Sequence, residues 1–212
     1  MKQYDTIDYY GKNWGVQGYA FDKLDGSNLR FEYSHKRGFY KFGTRNTMID
    51  RKSEPFGFAI DLFLSKYEKG ITDVFKSKTY RDTLAFVCFA ELVGGLSEFG
   101  QHSFASDKFD TVLFDISAYK KGFISPKPFV DDFQHLGIPR VVHQGKLSRE
   151  FVEKVKENEF GLTEGVIFKS TQPIVGHNPY YCKIKTNDWL NRLKNKDSEL
   201  YAKEVSSFEK MS

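Results

Sequence analysis

Thiols are scarce in this chain. Its two cysteines, Cys88 and Cys182, cannot build a disulfide framework, and neither belongs to a CxxC pair or a Cys/His cluster of zinc spacing. Both lie in apolar, strand-like runs, AFVCFAEL and YYCKIK, where a buried free thiol is the ordinary reading. No stretch approaches the roughly 18 apolar residues of a membrane helix, and MKQYDTIDYYGKNW at the N-terminus has no signal-peptide core. A soluble, intracellular protein with no membrane partner is the expectation. Internal repeats, low-complexity tracts and Pro/Gly-rich linkers are also missing, so the 212 residues predict one domain. Nor is there a large charge excess: 32 Lys plus Arg against 28 Asp plus Glu leave +4. That balance permits a polyanionic partner without requiring one.

The common catalytic signatures are absent as well. There is no GxxxxGK(S/T) loop, no GxGxxG after a strand, no HExxH and no GxSxG. The glycine pair in LVGGLSEFG lacks a following Lys-Ser/Thr and reads as a loop. Five histidines stand singly at 35, 102, 135, 143 and 177, and a lone histidine is ordinarily a surface or satisfied core residue. Any phosphate chemistry must therefore fall to lysine and arginine side chains.

What the chain has in excess is rings, 21 Phe and 12 Tyr, which fill cores and also make stacking surfaces for bases. Alternating, β-branched and aromatic-rich runs predict strands over 16–23, 29–34, 38–43, 83–92, 110–118, 139–143, 163–169 and 180–185. LRFEYSHKRGFYKFG reads as a hairpin. Helical patterns fall over 55–68, with Pro55 at its start and Gly70 just past its end, and over 127–136 and 147–157. The residues after Lys185 read as a single helix, 187–208, with a patchy apolar stripe of Trp189, Leu190, Leu193, Leu200 and Tyr201. Hairpin-linked strands with helices inserted between them argue for an α+β fold.

One segment stands out for chemistry. In KLDGSN, alternation along a strand puts Lys23 and Asp25 on one face, and Gly26 lets the backbone turn or a ligand approach. A bare KxDG is weak evidence, because a surface lysine beside a turn explains it equally well. Its weight comes from companions in order: TRN at 44–46, FAEL at 89–92, LFDI at 113–116, EGVIFK at 164–169 and KIK at 183–185.

This series resembles the motifs of the covalent nucleotidyltransferases, the superfamily of ATP-dependent DNA and RNA ligases and mRNA-capping guanylyltransferases. Asn28, five positions after Lys23, is similar to the K-x-x-G-x-N form of the RNA ligase 2 type, whereas DNA ligases usually carry arginine there. The resemblance implies an α+β nucleotidyltransferase domain, ATP-grasp-like, with two mainly antiparallel sheets flanked by helices around an ATP cleft. It implies an ATP-dependent RNA ligase that joins 3′-hydroxyl and 5′-phosphate ends through a lysyl–AMP intermediate. DNA nick sealing, capping with GTP and a non-catalytic RNA-binding module are the alternatives.

The same resemblance assigns roles. Lys23 is the nucleophile, Lys183 and Lys185 supply positive charge at the phosphates, and Arg45 contacts phosphate or the acceptor strand. Glu164 binds a divalent metal, Mg2+ with Mn2+ as a substitute. Glu91 contacts the ribose, Phe114 stacks on adenine, and Asn28 hydrogen-bonds ribose or the acceptor 3′-end. Asp25 and Lys169 complete the ATP-binding set. The residues alone allow blander readings: Phe114 as core, and Lys183 with Lys185 as a solvated edge-strand pair. Glu164 and Lys169 are five apart, an odd offset that opposes them on a regular strand unless a bulge intervenes or Lys169 projects beyond the strand end. Lys36, Arg37, Lys41 and Arg45 are expected to form a basic stripe for RNA, either a nicked duplex or broken ends. Relatives generally carry a second domain after KIK, for which 27 residues are too few; a minimal ligase, a separate partner supplying that domain and a shortened chain all fit.

Overall fold

The computed structural model describes residues 1–95, 108–175 and 178–209, which form two compact units. One comprises residues 1–4, 25–124 and 128–138; the other comprises 5–24, 125–127 and 139–212. His102 and His177, and the end of the LVGGLSEFG segment, lie outside the described residues.

The second unit is built on a four-stranded antiparallel sheet. Its strands are β1 (Gln17–Lys23), β8 (Val141–Lys146), β9 (Gly165–Val175) and β10 (Asn178–Lys185), in the order β10-β9-β1-β8. One face carries Ala20, Val166, Phe168, Cys182 and Ile184. These pack with Phe151, Val152 and Val155 of helix α3 (Arg149–Lys156) into a closed apolar core. Ser148 caps α3, its hydroxyl accepting from the Phe151 N–H at 3.1 Å. That cap delays the helix start by two residues and lets β8 run on to Lys146. His143 stacks on Phe151 with centroids 4.2 Å apart, a histidine placed by packing.

The first unit is a six-stranded antiparallel sheet of β2 (Ser27–Ser34), β3 (Gly38–Thr44), β4 (Met48–Ile49), β5 (Phe86–Gly94), β6 (Phe109–Ala118) and β7 (Gly122–Phe123), ordered β4-β3-β2-β5-β6-β7. Helix α1 (Phe58–Phe75) covers the face bearing Leu29, Phe31 and Tyr33. Phe31 stacks on Phe63 at 3.7 Å and Phe75 on Phe86 at 3.8 Å. Phe129 and Phe133 of α2 (Pro126–Phe133) are buried, and Phe133 meets Phe75 edge-on at 6.1 Å. Much of the unusual aromatic content is therefore core, where each ring pair adds about 0.5–1.5 kcal/mol beyond its burial.

The two mainly antiparallel sheets and the α+β class agree with the sequence. Three local expectations are corrected. Gly70 does not end α1, which runs on to Phe75. Leu136 packs so closely there that a Cβ on Gly70 would lie 2.3 Å from its Cδ2, so this glycine answers to packing. Gly70→Ala should be near neutral, since the flexible end of Leu136 can yield and helix propensity rises. Gly70→Leu should cost about 1–3 kcal/mol by overpacking, readable in urea unfolding.

The expected single helix over 187–208 is two, α4 (Asn187–Lys196) and α5 (Ser198–Glu209). They part at Asp197, which is extended and whose carboxylate accepts from the Leu200 N–H at 2.9 Å, the geometry of an N-cap. Finally, β9 continues past Lys169 to Val175, with Pro173 opposite Pro179 between two register shifts of the β9–β10 ladder. Proline has no N–H for a ladder bond, so propensity alone ends the strand too early.

Candidate active site

Cross-strand register builds the site in the second unit. Lys23, at the end of β1, lies opposite Gly165, and Lys185 lies opposite the same glycine from the other side. Cross-strand neighbours share a face, and so do residues two apart along a strand. Lys23, Lys169, Lys183 and Lys185 therefore all belong to the face opposite α3. Glu164 sits just before β9, outside strand alternation, and its carboxylate joins two of these lysines. Lys23 Nζ donates to Glu164 Oε2 at 2.7 Å, and Lys185 Nζ lies 3.0 Å from Oε1. The side chains of Glu164 and Lys185 are each only 4% exposed, so the pairing is nearly shielded from water.

This corrects the odd-offset argument. Glu164 is not a strand residue, and Lys169 does not project past the strand end; it is paired inside β9 between Tyr19 and Tyr181. Its ammonium group lies 5.0 Å from the Phe21 ring centroid and 5.6 Å from that of Tyr181. Asp25, likewise, does not share a strand face with Lys23, because β1 stops at the lysine.

Lys183 and Lys185 stand on an edge strand, yet they are not a solvated pair. Residues 8–10 run beside β10, with the Lys183 N–H donating to the Asp8 carbonyl at 2.8 Å and the Tyr10 N–H to the Lys183 carbonyl at 3.3 Å. Tyr9 covers Lys183, its ring centroid 4.4 Å from Nζ, and the Trp189 ring lies 3.4 Å from Lys185 Nζ. From α5, Glu204 Oε2 accepts from Lys183 at 3.1 Å and from the Tyr9 hydroxyl at 2.5 Å, and lies 3.5 Å from Lys185. Tyr9 and Glu204 escaped the sequence reading because neither belongs to a recognisable spacing, and Trp189 entered it only as part of an apolar helix stripe.

Electrostatics follow from this crowding. Burial pushes the Lys185 ammonium below the ordinary lysine range; Glu164 and Glu204 oppose the shift, and the charge of Lys23 reinforces it. Burial would raise the Glu204 carboxyl, but Lys185, the Tyr9 hydrogen bond and Lys183 together hold it below the usual carboxylate range. A lowered carboxyl pKa contributes stability above its unfolded value, and that stability is lost as pH falls through the folded one. The melting-temperature gap between the wild type and Glu204→Gln should be full above about pH 5 and close as the pH falls below roughly 4.

In the first unit, Asn28 on β2 lies directly opposite Glu91 on β5, on the face turned away from α1. Phe114 occupies the register shift of β6 and meets Tyr4 edge-on at 5.1 Å. Glu91 and Phe114 are half-buried. Asn28 is 9% exposed, and its Oδ1 has no hydrogen-bond partner among the described residues. Gly26 proves to be required by the protein itself: a Cβ there would lie 2.1 Å from the Leu92 carbonyl oxygen and 2.9 Å from Glu91 Cγ.

Arg45 is exposed in the turn joining β3 to β4, closed by the Thr44 N–H to Thr47 carbonyl bond of 2.9 Å. Buried Arg30 braces that turn, donating to the Thr44 carbonyl at 2.7 Å. Of the residues expected to form a basic stripe, Lys36 and Arg37 lie in the turn at the far end of β3, about 20 Å from Arg45 at the usual strand rise, and exposed Lys41 stands between them on β3, 3.8 Å from Glu32.

The RNA ligase family model matches residues 19–194, spanning every strand and lysine of this site. The chain belongs to the RNA ligase family. Solved structures agree on the fold. A ligand-free aspartate-to-alanine variant of Naegleria gruberi RNA ligase superposes with a TM-score of 0.65 at 13% identity, covering 91% of this chain and 58% of that one. An archaeal ATP-dependent RNA ligase gives 0.63 at 12%, covering 91% and 50%. A lysine-to-alanine variant of the Naegleria enzyme holding ATP and manganese gives 0.58 at 15%, covering 90% and 58%. The chain thus spans 50–58% of the length of these three structures. No curated protein sequence matches it.

Asn28 Oδ1 is a buried acceptor awaiting a donor, as a ribose hydroxyl would be. Among the described residues no three His, Cys, Asp or Glu side chains converge. A metal would therefore rest on Glu164 and nucleotide oxygens, the sparse protein ligation typical of Mg2+. No helix among the described residues is long and apolar enough to cross a membrane.

Proposed function

We propose that the chain is an ATP-dependent RNA ligase whose nucleophile is Lys23. The observation that carries this reading is the Lys23–Glu164–Lys185 cluster, a lysine held against one buried carboxylate beside a second, desolvated ammonium. Lys23 Nζ attacks the α-phosphorus of ATP; the N–P bond forms, the bond to pyrophosphate breaks, and the amine gives up a proton. AMP then passes to the 5′-phosphate of an RNA end, and the neighbouring 3′-hydroxyl attacks that phosphate and expels AMP.

Attack requires a neutral amine, of which an ordinary lysine has roughly one part in a few thousand at pH 7. Lys23 and Lys185 share the Glu164 carboxylate, which places a second positive charge beside the amine that must give up its proton. A bound Mg2+ or Mn2+ would draw on the Glu164 carboxylate and supply charge stabilisation at the triphosphate. Lys183 and Lys185 offer ammonium donors to phosphate oxygens, and Arg45 offers a planar fork suited to the RNA backbone. Asn28 and Glu91, paired across two strands, would read the ribose, and Phe114 would stack on the adenine.

The test is sealing of a nicked RNA duplex with ATP and Mg2+, in parallel with nicked DNA and with GTP in place of ATP. ATP-dependent sealing of the RNA nick is expected. Preferential sealing of DNA would move the enzyme to the DNA ligases, and covalent labelling by GTP alone would move it to the capping enzymes. A separate protein supplying a second domain would raise the sealing rate without changing the nucleotide used.

A further inference from the structure

Among the described residues of α5, Glu204 is the carboxylate in contact with Lys183 and Lys185, and it meets them through a single oxygen. Oε2 takes the Tyr9 hydroxyl at 2.5 Å and Lys183 Nζ at 3.1 Å, with Lys185 Nζ 3.5 Å away. Two lysines and a hydroxyl converging on one anionic oxygen are what a phosphate oxygen would find there. Any other anionic oxygen within hydrogen-bond reach of both ammonium groups must lie within about 6 Å of Oε2, where two negative charges repel. The two anions therefore compete for the same lysines.

Of the elements around the cluster, α5 is the one built to yield. No residue from 198 to 206 is buried, whereas α4 buries Trp189 and Leu193 and β10 buries Cys182 and Ile184. The Asp197 break separates α5 from α4, so α5 can withdraw without disturbing the helix that covers Lys185.

We infer that Glu204 is an internal anion that occupies Lys183 and Lys185 until nucleotide phosphate displaces it, so that α5 regulates access to the adenylylation site. The inference rests on reading those two lysines as phosphate ligands. Binding of α,β-methylene-ATP, which cannot donate AMP, is the measurement, made by calorimetry on the full chain. Glu204→Gln removes the competing charge and should tighten binding about three- to tenfold, the scale of a partly exposed ion pair. Glu199→Gln, in the exposed first turn of α5, should leave it unchanged. In the unaltered protein, hydrogen exchange over residues 198–206 should speed up when the analogue binds, a reading that holds even if the Glu204 variant folds poorly.

Unchanged or weaker binding by Glu204→Gln, or α5 amides that slow on nucleotide binding, would overturn the inference and make Glu204 a positioning residue for the lysines. Binding by the wild type with no such gain removes this inference alone. No binding by the wild type removes the ligase reading with it.

Discussion

Replacing Lys23 by alanine is expected to abolish the covalent AMP adduct while leaving measurable sealing of an RNA nick that already carries AMP on its 5′-phosphate. The two outcomes separate because the proposed mechanism gives Lys23 one chemical task. As nucleophile it would accept AMP; once AMP is on the RNA, the attacking group would be the 3′-hydroxyl and Lys23 would no longer be a reactant. Overall ligation with ATP should fall by at least about 10³-fold, the scale expected when a covalent mechanism loses its nucleophile. Loss of Lys23 leaves Glu164 still paired with Lys185, so stability should change by less than about 1 kcal/mol. A variant that lost adduct formation and pre-adenylylated sealing equally, while staying folded, would mean that Lys23 holds the site together and does not carry AMP.

The second large effect belongs to Glu164. Glu164→Ala removes the carboxylate to which both Lys23 and Lys185 are bound, leaving a buried ammonium on Lys185 with Glu204 as its remaining acidic contact among those described. Breaking a buried pair from one side costs about 3–5 kcal/mol, and the Glu204 contact should hold the loss near the lower figure. For a chain of this size that is a drop of roughly 6–12 °C in melting temperature. Adduct formation should fall further than folding explains, by about 10²-fold in protein that remains folded, if Glu164 anchors the divalent ion as proposed. Glu164→Gln keeps the shape and isolates the charge: it should fold better than the alanine variant and remain equally slow. Activity in Glu164→Gln near the wild-type level would make Glu164 a structural counter-ion only.

Much of the fold was legible because its signals are local. Alternation in LRFEY and the apolar, aromatic-rich runs YAF and VCFA mark strands, and each of the eight predicted strands has a counterpart in the structure. Strands β4 and β7, two residues each, are too short to show a period. Helix ends were less legible, since Gly70 serves packing against Leu136, and Asp197 is an N-cap hidden in a run of charge.

At the site, lysine spacing in KIK placed Lys183 and Lys185 on one face, and the KxDG turn located Lys23. Register decided what spacing could not. Lys169 joins the lysine face because Glu164, the residue it was measured against, lies outside the strand. Glu204 and Tyr9 were invisible because their role comes from a contact between residues 195 positions apart, which no local pattern encodes.

The most direct test is an intact-mass measurement of the purified chain after mixing with Mg2+ and ATP, followed by peptide mapping of any adduct. A gain of one AMP, mapped to Lys23 and not reproduced with GTP, is the expected result. An adduct on another residue, or none in protein shown to bind ATP, would contradict the assignment of Lys23 as the nucleophile of this RNA ligase family member.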